Sequence, residues 1–175
     1  MSEPHPASVE ARKEISGGVC VLTYQRLDTA AIIASVGDDA AGATAVFIGT
    51  TRNSFKGKSH PTWKVVTRLD YQAYSKLAIQ TISDIITMAV SRSSHHHMPG
   101  SVPSLLHCAI HHRLGTVPVG EPSIVIAVSS PHRREAFVAC ELILEQVKAK
   151  AQIWKREFYK GERPEDAEWK ANAEP

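Results

Sequence analysis

Five side chains in this sequence have the type and setting to act on an anion: Arg52, His132, Arg133, Lys148 and Lys155. His132 and Arg133, with Arg134, crowd the expected first turn of a helix, with Ser130 as its N-cap and Pro131 at its first position. Cations are disfavoured there by about 0.3–1 kcal/mol each, because the helix dipole is positive at that end. Glu135 is the one acid in the turn. The free N–H groups of a helix start already favour an anion, so cations added to them point to an anionic ligand. Lys148 and Lys155 stand seven positions apart. On one continuous helix they project from the same face, roughly 10 Å apart along the axis. Lys148 shares its face with Leu144 and Ala151, a semi-apolar setting that suits a pocket lysine. Together these residues describe a pocket for a small, multiply anionic substrate, with a lysine available for proton transfer or nucleophilic attack. Scattered, solvated surface charges would leave the same spacing.

The elements that must position these groups follow from periodicity. Residues 129–159 carry apolar side chains at helical spacing, including Phe137, Cys140, Leu144, Val147, Ala151 and Trp154. A second long helix is predicted over 74–90, from Leu77, Ala78, Ile82, Ile85, Ile86 and Ala89. A short helix over 29–36 has Asp28 as N-cap and Gly37 at its stop. Strands are predicted at 19–24, 43–51, 63–71, 105–112 and 123–129, with 115–122 as a turn. This order is neither a clean βα alternation nor a run of hairpins. It predicts one α+β domain with mixed and antiparallel sheets and two long helices. Residues 1–16 read as a disordered tail, 17–171 as the domain, 91–104 as a loop insertion and 172–175 as a second tail.

Composition narrows the function. A net charge of +2 is too small to argue for nucleic acid or an acidic membrane surface, and surface aromatics are not interleaved with the basic residues. No apolar run is long enough to cross a bilayer, and residues 1–14 resemble neither a signal nor a transit peptide. Three widely spaced cysteines, Cys20, Cys108 and Cys140, fit core positions in a reducing, cytosolic setting. Gly57-Lys58-Ser59 lacks the preceding glycine of a P-loop, since position 52 is arginine. Neither GxGxxG nor GxSxG occurs. Of the nine histidines, His95-His96-His97 fall in a Ser/Gly/Pro-rich loop, and His112 alternates with Leu106, Cys108 and Ile110 as a core histidine would. No metal site and no cofactor are expected.

Five segments then carry a resemblance: FIGTTRNSFKGKS (47–59), LDYQAY (69–74), HHRLGTVPVGE (111–121), SIVIAVSSPHRREAF (123–137) and KAKAQIWKREFY (148–159). In this order, across about residues 18–171, the chain resembles the catalytic (large) subunit family of molybdopterin synthase, eukaryotic type. The resemblance implies an α/β-hammerhead fold and a homodimer at the core of a heterotetramer. Each protomer would bind a small ubiquitin-like sulfur-carrier subunit ending in a Gly-Gly thiocarboxylate. The implied reaction is sulfur transfer to cyclic pyranopterin monophosphate (precursor Z), which forms the dithiolene of molybdopterin. It further implies substrate binding by Thr50, Thr51, Arg52, His132, Arg133, Arg156 and Glu157, and catalysis and binding by Lys148 and Lys155, some of these reaching the pocket from the second protomer. Gln152 stands where proline is common in the family, so the helix is expected to continue past it. A non-catalytic phosphate- or RNA-binding module, or a scaffold, is the alternative that the same basic pocket would serve.

Overall fold

The computed structural model describes residues 5–55, 64–94 and 104–171. In chain order it contains β1 (Ala11–Ile15), β2 (Gly18–Thr23), α1 (Thr29–Ala34), β3 (Ala43–Thr50), β4 (Ser54–Phe55), β5 (Lys64–Ala73) and α2 (Ser75–Ser94). Then follow β6 (His107–Arg113), β7 (Gly115–Pro118), β8 (Pro122–Ser130), α3 (Arg133–Lys150), β9 (Ile153–Tyr159), a 3-10 turn (Pro164–Asp166) and β10 (Trp169–Ala171). The first sheet has the order β1-β2-β6-β8-β3 and is mixed, since β2 and β6 run parallel and the other pairs antiparallel. The second has the order β10-β9-β5-β4, with β7 also on β5, and is antiparallel throughout. This is the α+β architecture expected.

The main core lies between the first sheet and the two long helices. Leu22, Ile110, Ile126 and Val128 of the sheet meet Ile82 and Ile86 of α2 and Ile143 and Val147 of α3. The opposite face is covered by α1 through Ile32 with Leu27 and Val36, packed on Ala109, Val125 and Ala127. Covered on both faces, β8 is an unbroken apolar run rather than an alternating one. The α1 start matches expectation: Asp28 accepts from the Ala31 N–H at 3.0 Å.

Four expectations change. Residues 11–15, assigned to a disordered tail, form β1, because ARKEI alternates half-buried Ala11, Lys13 and Ile15 with exposed Arg12 and Glu14. Upstream, Ser8 is buried and its hydroxyl accepts the Ala73 N–H at 3.1 Å, so this segment is tied to the second sheet. Residues 115–118, read as a turn, pair with β5 as β7. Residues 91–94 continue α2, while the rest of the predicted loop, 95–103 with the three histidines, lies outside the described residues. So do the basic stretch at 56–63 and the tail at 172–175.

The fourth change bears on the site. α3 begins at Arg133 with His132 as an N-cap that makes no side-chain bond, while Ser130 and its hydroxyl belong to the end of β8. The helix ends at Lys150 rather than running to 159. Ala151 is extended, and Gln152 is held by α2 and the residue before it: its carbonyl accepts the Tyr74 N–H at 3.0 Å and its side-chain oxygen accepts from Thr81 at 3.0 Å. IWKREFY then pairs with β5. Its β-branched and aromatic residues suit a strand, and tertiary pairing outweighs the helical spacing. Phe137, expected in the apolar stripe, is 66% exposed; α3 buries Ala136, Ala139, Cys140, Ile143 and Val147 instead.

Candidate active site at the junction of the two sheets

A cavity of about 460 Å³ opens where the C-terminal half of α3 passes over the junction between the sheets. β3 and the residues after it contribute Phe47, Gly49, Thr50 and Arg52; α3 contributes Leu144 and Lys148; β9 contributes Lys155 and Glu157. β5 adds Leu69 and Tyr71, and β6 and β8 add His112, Ser123 and Ile124. The β3–β8 register shifts between Gly49 and Thr50, an irregularity that re-aims the chain beside the cavity. A Cβ on Gly49 would lie 2.7 Å from Ile124 Cγ2, so only glycine lets the strand pass here.

The wall charges are unbalanced. Arg52, Lys148 and Lys155 face the cavity with one acid, Glu157. Lys155 Nζ is 3.3 Å from Glu157 Oε1, and the Tyr159 hydroxyl donates to Glu157 Oε2. Burial and that carboxylate together hold the Tyr159 phenol well above its ordinary range, so it stays a donor. Glu157 is thereby fixed from both sides, and Arg52 and Lys148 have no ion-pair partner among the described residues. Such a lining suits an anion with at least two negative charges, and lysine is a side chain able to donate a proton.

At the cavity floor, His112 is 1% exposed and burial pulls its imidazole down to about 4, against a weaker opposing effect from the Arg113 carbonyl. Tyr71 stands edge-on to it, with centroids 5.0 Å apart. The Tyr71 hydroxyl donates to Ser123 Oγ at 3.4 Å, and Ser123 donates to the Gly49 carbonyl at 3.2 Å.

Thr50, Arg52, Lys148, Lys155 and Glu157 are thus brought together from the expected set. Lys155 reaches the cavity from a strand, not from the helix face shared with Lys148. Thr51 is buried and turns away, its hydroxyl donating to the Val117 carbonyl at 3.3 Å. Arg156 lies on the opposite face of β9, 3.4 Å from Asp70 and stacked on Phe158 and Trp169. His132 and Arg133 are exposed at the start of α3, about 22 Å along the helix from Lys148, and do not reach this chain's own cavity. Sequence reasoning missed Tyr71 and Ser123 as lining residues. Their signal was their place inside quoted segments, LDYQAY and SIVIAV, where polar groups sit in buried strands.

The fold and cavity define an α+β protein with a pocket between two sheets, lined by three cations and one carboxylate. The family described as MoaE protein matches residues 22–150. The chain is 42% identical over 151 residues to the molybdopterin synthase catalytic subunit of Coccidioides immitis (strain RS), covering 86% of this chain and 69% of that protein. It is 39% identical over 153 residues to the molybdopterin synthase catalytic subunit 2 of Aedes aegypti, covering 87% and 88%. The Drosophila willistoni molybdopterin synthase catalytic subunit is 42% identical over 153 residues, but the chain spans only 37% of its length. Solved structures share the fold. Molybdopterin synthase from Staphylococcus aureus has a TM-score of 0.69 at 24% identity, with 85% of this chain and 94% of that chain covered. The complex of subunits 1 and 2 of molybdopterin-converting factor from Helicobacter pylori has a TM-score of 0.60 at 21% identity, with 82% and 87% covered. The chain belongs to the MoaE family, that of molybdopterin synthase catalytic subunits. No helix among the described residues is long and apolar enough to cross a membrane.

Proposed function

We propose that this chain is the catalytic subunit of a cytosolic molybdopterin synthase in molybdenum cofactor biosynthesis. It takes sulfur from the C-terminal Gly-Gly thiocarboxylate of a small ubiquitin-like carrier and delivers it to precursor Z, twice, to form the dithiolene. The observation that carries this reading is the convergence of Arg52, Lys148 and Lys155 on one cavity that holds a single carboxylate. Both reactants are anionic, one a thiocarboxylate and the other a cyclic phosphate, and both need cations to approach each other.

Lys148 stands at the end of α3 and takes the place nearest the reacting carbon. It stabilises the thiocarboxylate and the adduct that its sulfur forms, and it moves a proton. Lys155, held in place by Glu157, binds the phosphate as its ring opens. Arg52 supplies further positive charge from the opposite wall, and Thr50 lies beside it. His132 and Arg133, too far along α3 to serve their own cavity, complete that of a second protomer in a homodimer, with one carrier on each protomer of a heterotetramer. The carrier supplies the sulfur, so the three buried cysteines have no part in the reaction.

The test is sulfur transfer in vitro. Protein, thiocarboxylated carrier and precursor Z are mixed, and molybdopterin is measured as its fluorescent oxidised derivative. Wild type is expected to form product and Lys148→Ala almost none. Product from both would remove Lys148 from the chemistry. A wild type that binds carrier yet forms no product would leave a scaffold.

A further inference from the structure

We infer that the floor of the cavity, formed by His112 with Tyr71 and Ser123, is a hydrogen-bond-accepting subsite that selects a ligand by its N–H groups, here the aminopyrimidine edge of the pterin. The inference rests on the reading above and adds the orientation of the substrate to it. His112 Nδ1 lies 2.8 Å from the Arg113 carbonyl oxygen, which can only accept. Nδ1 therefore carries the proton, and in the neutral ring Nε2 keeps a lone pair. Nε2 has no hydrogen-bond partner among the described residues and is not among the sealed polar atoms, so it opens onto the cavity that His112 lines. Burial keeps the ring neutral through the working pH range.

The hydroxyls beside it are committed in one direction. Tyr71 gives its proton to Ser123, and Ser123 gives its own to the Gly49 carbonyl. What remains free on Tyr71 is an oxygen lone pair. The floor therefore presents acceptors, while the walls present the donors Arg52, Lys148 and Lys155, the one wall carboxylate, Glu157, being already engaged by Lys155 and Tyr159. A cavity polarised in this way fits a ligand with an anionic end and an N–H donor end. Inorganic phosphate has only the first. A phosphorylated pterin has both, and its 2-amino and ring N–H groups point to the floor when its phosphate meets the cations.

The experiment measures binding of precursor Z and of inorganic phosphate to the full chain without carrier, for wild type, His112→Leu and His112→Gln. His112→Leu is expected to weaken precursor Z about 10- to 100-fold while phosphate binding changes less than about twofold. His112→Gln, whose amide oxygen restores an acceptor, recovers most of the loss. Unchanged precursor Z binding in His112→Leu overturns the proposal, and so does an equal loss of both ligands. If His112→Leu does not fold, wild type is compared on the substrate and its 2-deamino analogue, and equal affinity overturns the proposal. A wild type that converts precursor Z while His112→Leu binds it normally sinks the floor subsite alone. A wild type that neither binds nor converts it sinks the proposed function as well.

Discussion

On one face of β9, Lys155 and Glu157 look into the cavity; on the other lie Trp154, Arg156 and Phe158, the last covered by arginine side chains. The two faces treat charge in opposite ways. Arg156 is 3.4 Å from Asp70, and its guanidinium lies 4.9 Å from the Phe158 ring and 4.7 Å from that of Trp169. Arg68 stacks on the same Phe158 at 3.7 Å, and Thr116 donates to Asp70. The outer cations thus find a carboxylate and aromatic faces within the chain. The inner face gives Lys155 one carboxylate, already shared with Tyr159, and leaves Lys148 and Arg52 for something else. Two adjacent basic residues, 155 and 156, thus face a cavity and a packed outer surface respectively, and the pleat of one strand separates them.

The largest way to break this comparison is to cut each cation separately. Lys155→Ala is expected to lower molybdopterin formation by about 10²–10⁴-fold with little change in urea stability, measured side by side on one preparation. Loss of stability with retained activity would reverse the assignment of the two faces.

The cavity floor provides the next effect. His112 is held down to about 4 from an ordinary 6.5, so the unfolded chain binds this proton more readily than the folded one. Stability is then complete above about pH 6.5 and falls as pH drops toward 4, by about 3 kcal/mol at the lower end. His111, lowered by burial and then by Arg12, adds to the same slope. Urea unfolding at several pH values should show it, and His112→Gln should flatten it.

Arg156→Ala is smaller: about 1–2 kcal/mol of stability, from two ring contacts and a partly buried ion pair, with sulfur transfer within a few-fold of wild type. Smallest is Asp28→Ala, remote from both faces, which removes the α1 cap and should cost about 1 kcal/mol in the same unfolding assay with no change in activity.

Much of this was legible in advance, for definite reasons. α2 and the body of α3 follow the 3.6-residue period, and β3 and β8 follow from apolar β-branched runs. β9 was not legible, because Trp154 continues the α3 spacing as well as it fits a strand, and pairing with β5 decides between the two. β1 was hidden by its polar composition, since only half of a two-faced strand needs to be covered. In the site, Arg52, Lys148 and Lys155 stood out because uncompensated charge next to apolar residues is visible in one dimension. Tyr71 and Ser123 did not, because a polar residue in a strand shows which way it faces only once the register of its neighbours is known. The alternation around His112 marks a core histidine, and the ring is buried, but that pattern does not show that it also lines the cavity.

The cavity has walls from β3, β5, α3 and β9, so it exists only while both sheets and the helix are docked. A ligand held there is linked to the folding equilibrium of the whole unit, not to the order of a single loop. At a hundred times its dissociation constant it adds about 2.7 kcal/mol to unfolding. The melting temperature of this chain is therefore a meter of occupancy, one that responds to any anion the walls accept whether or not sulfur moves.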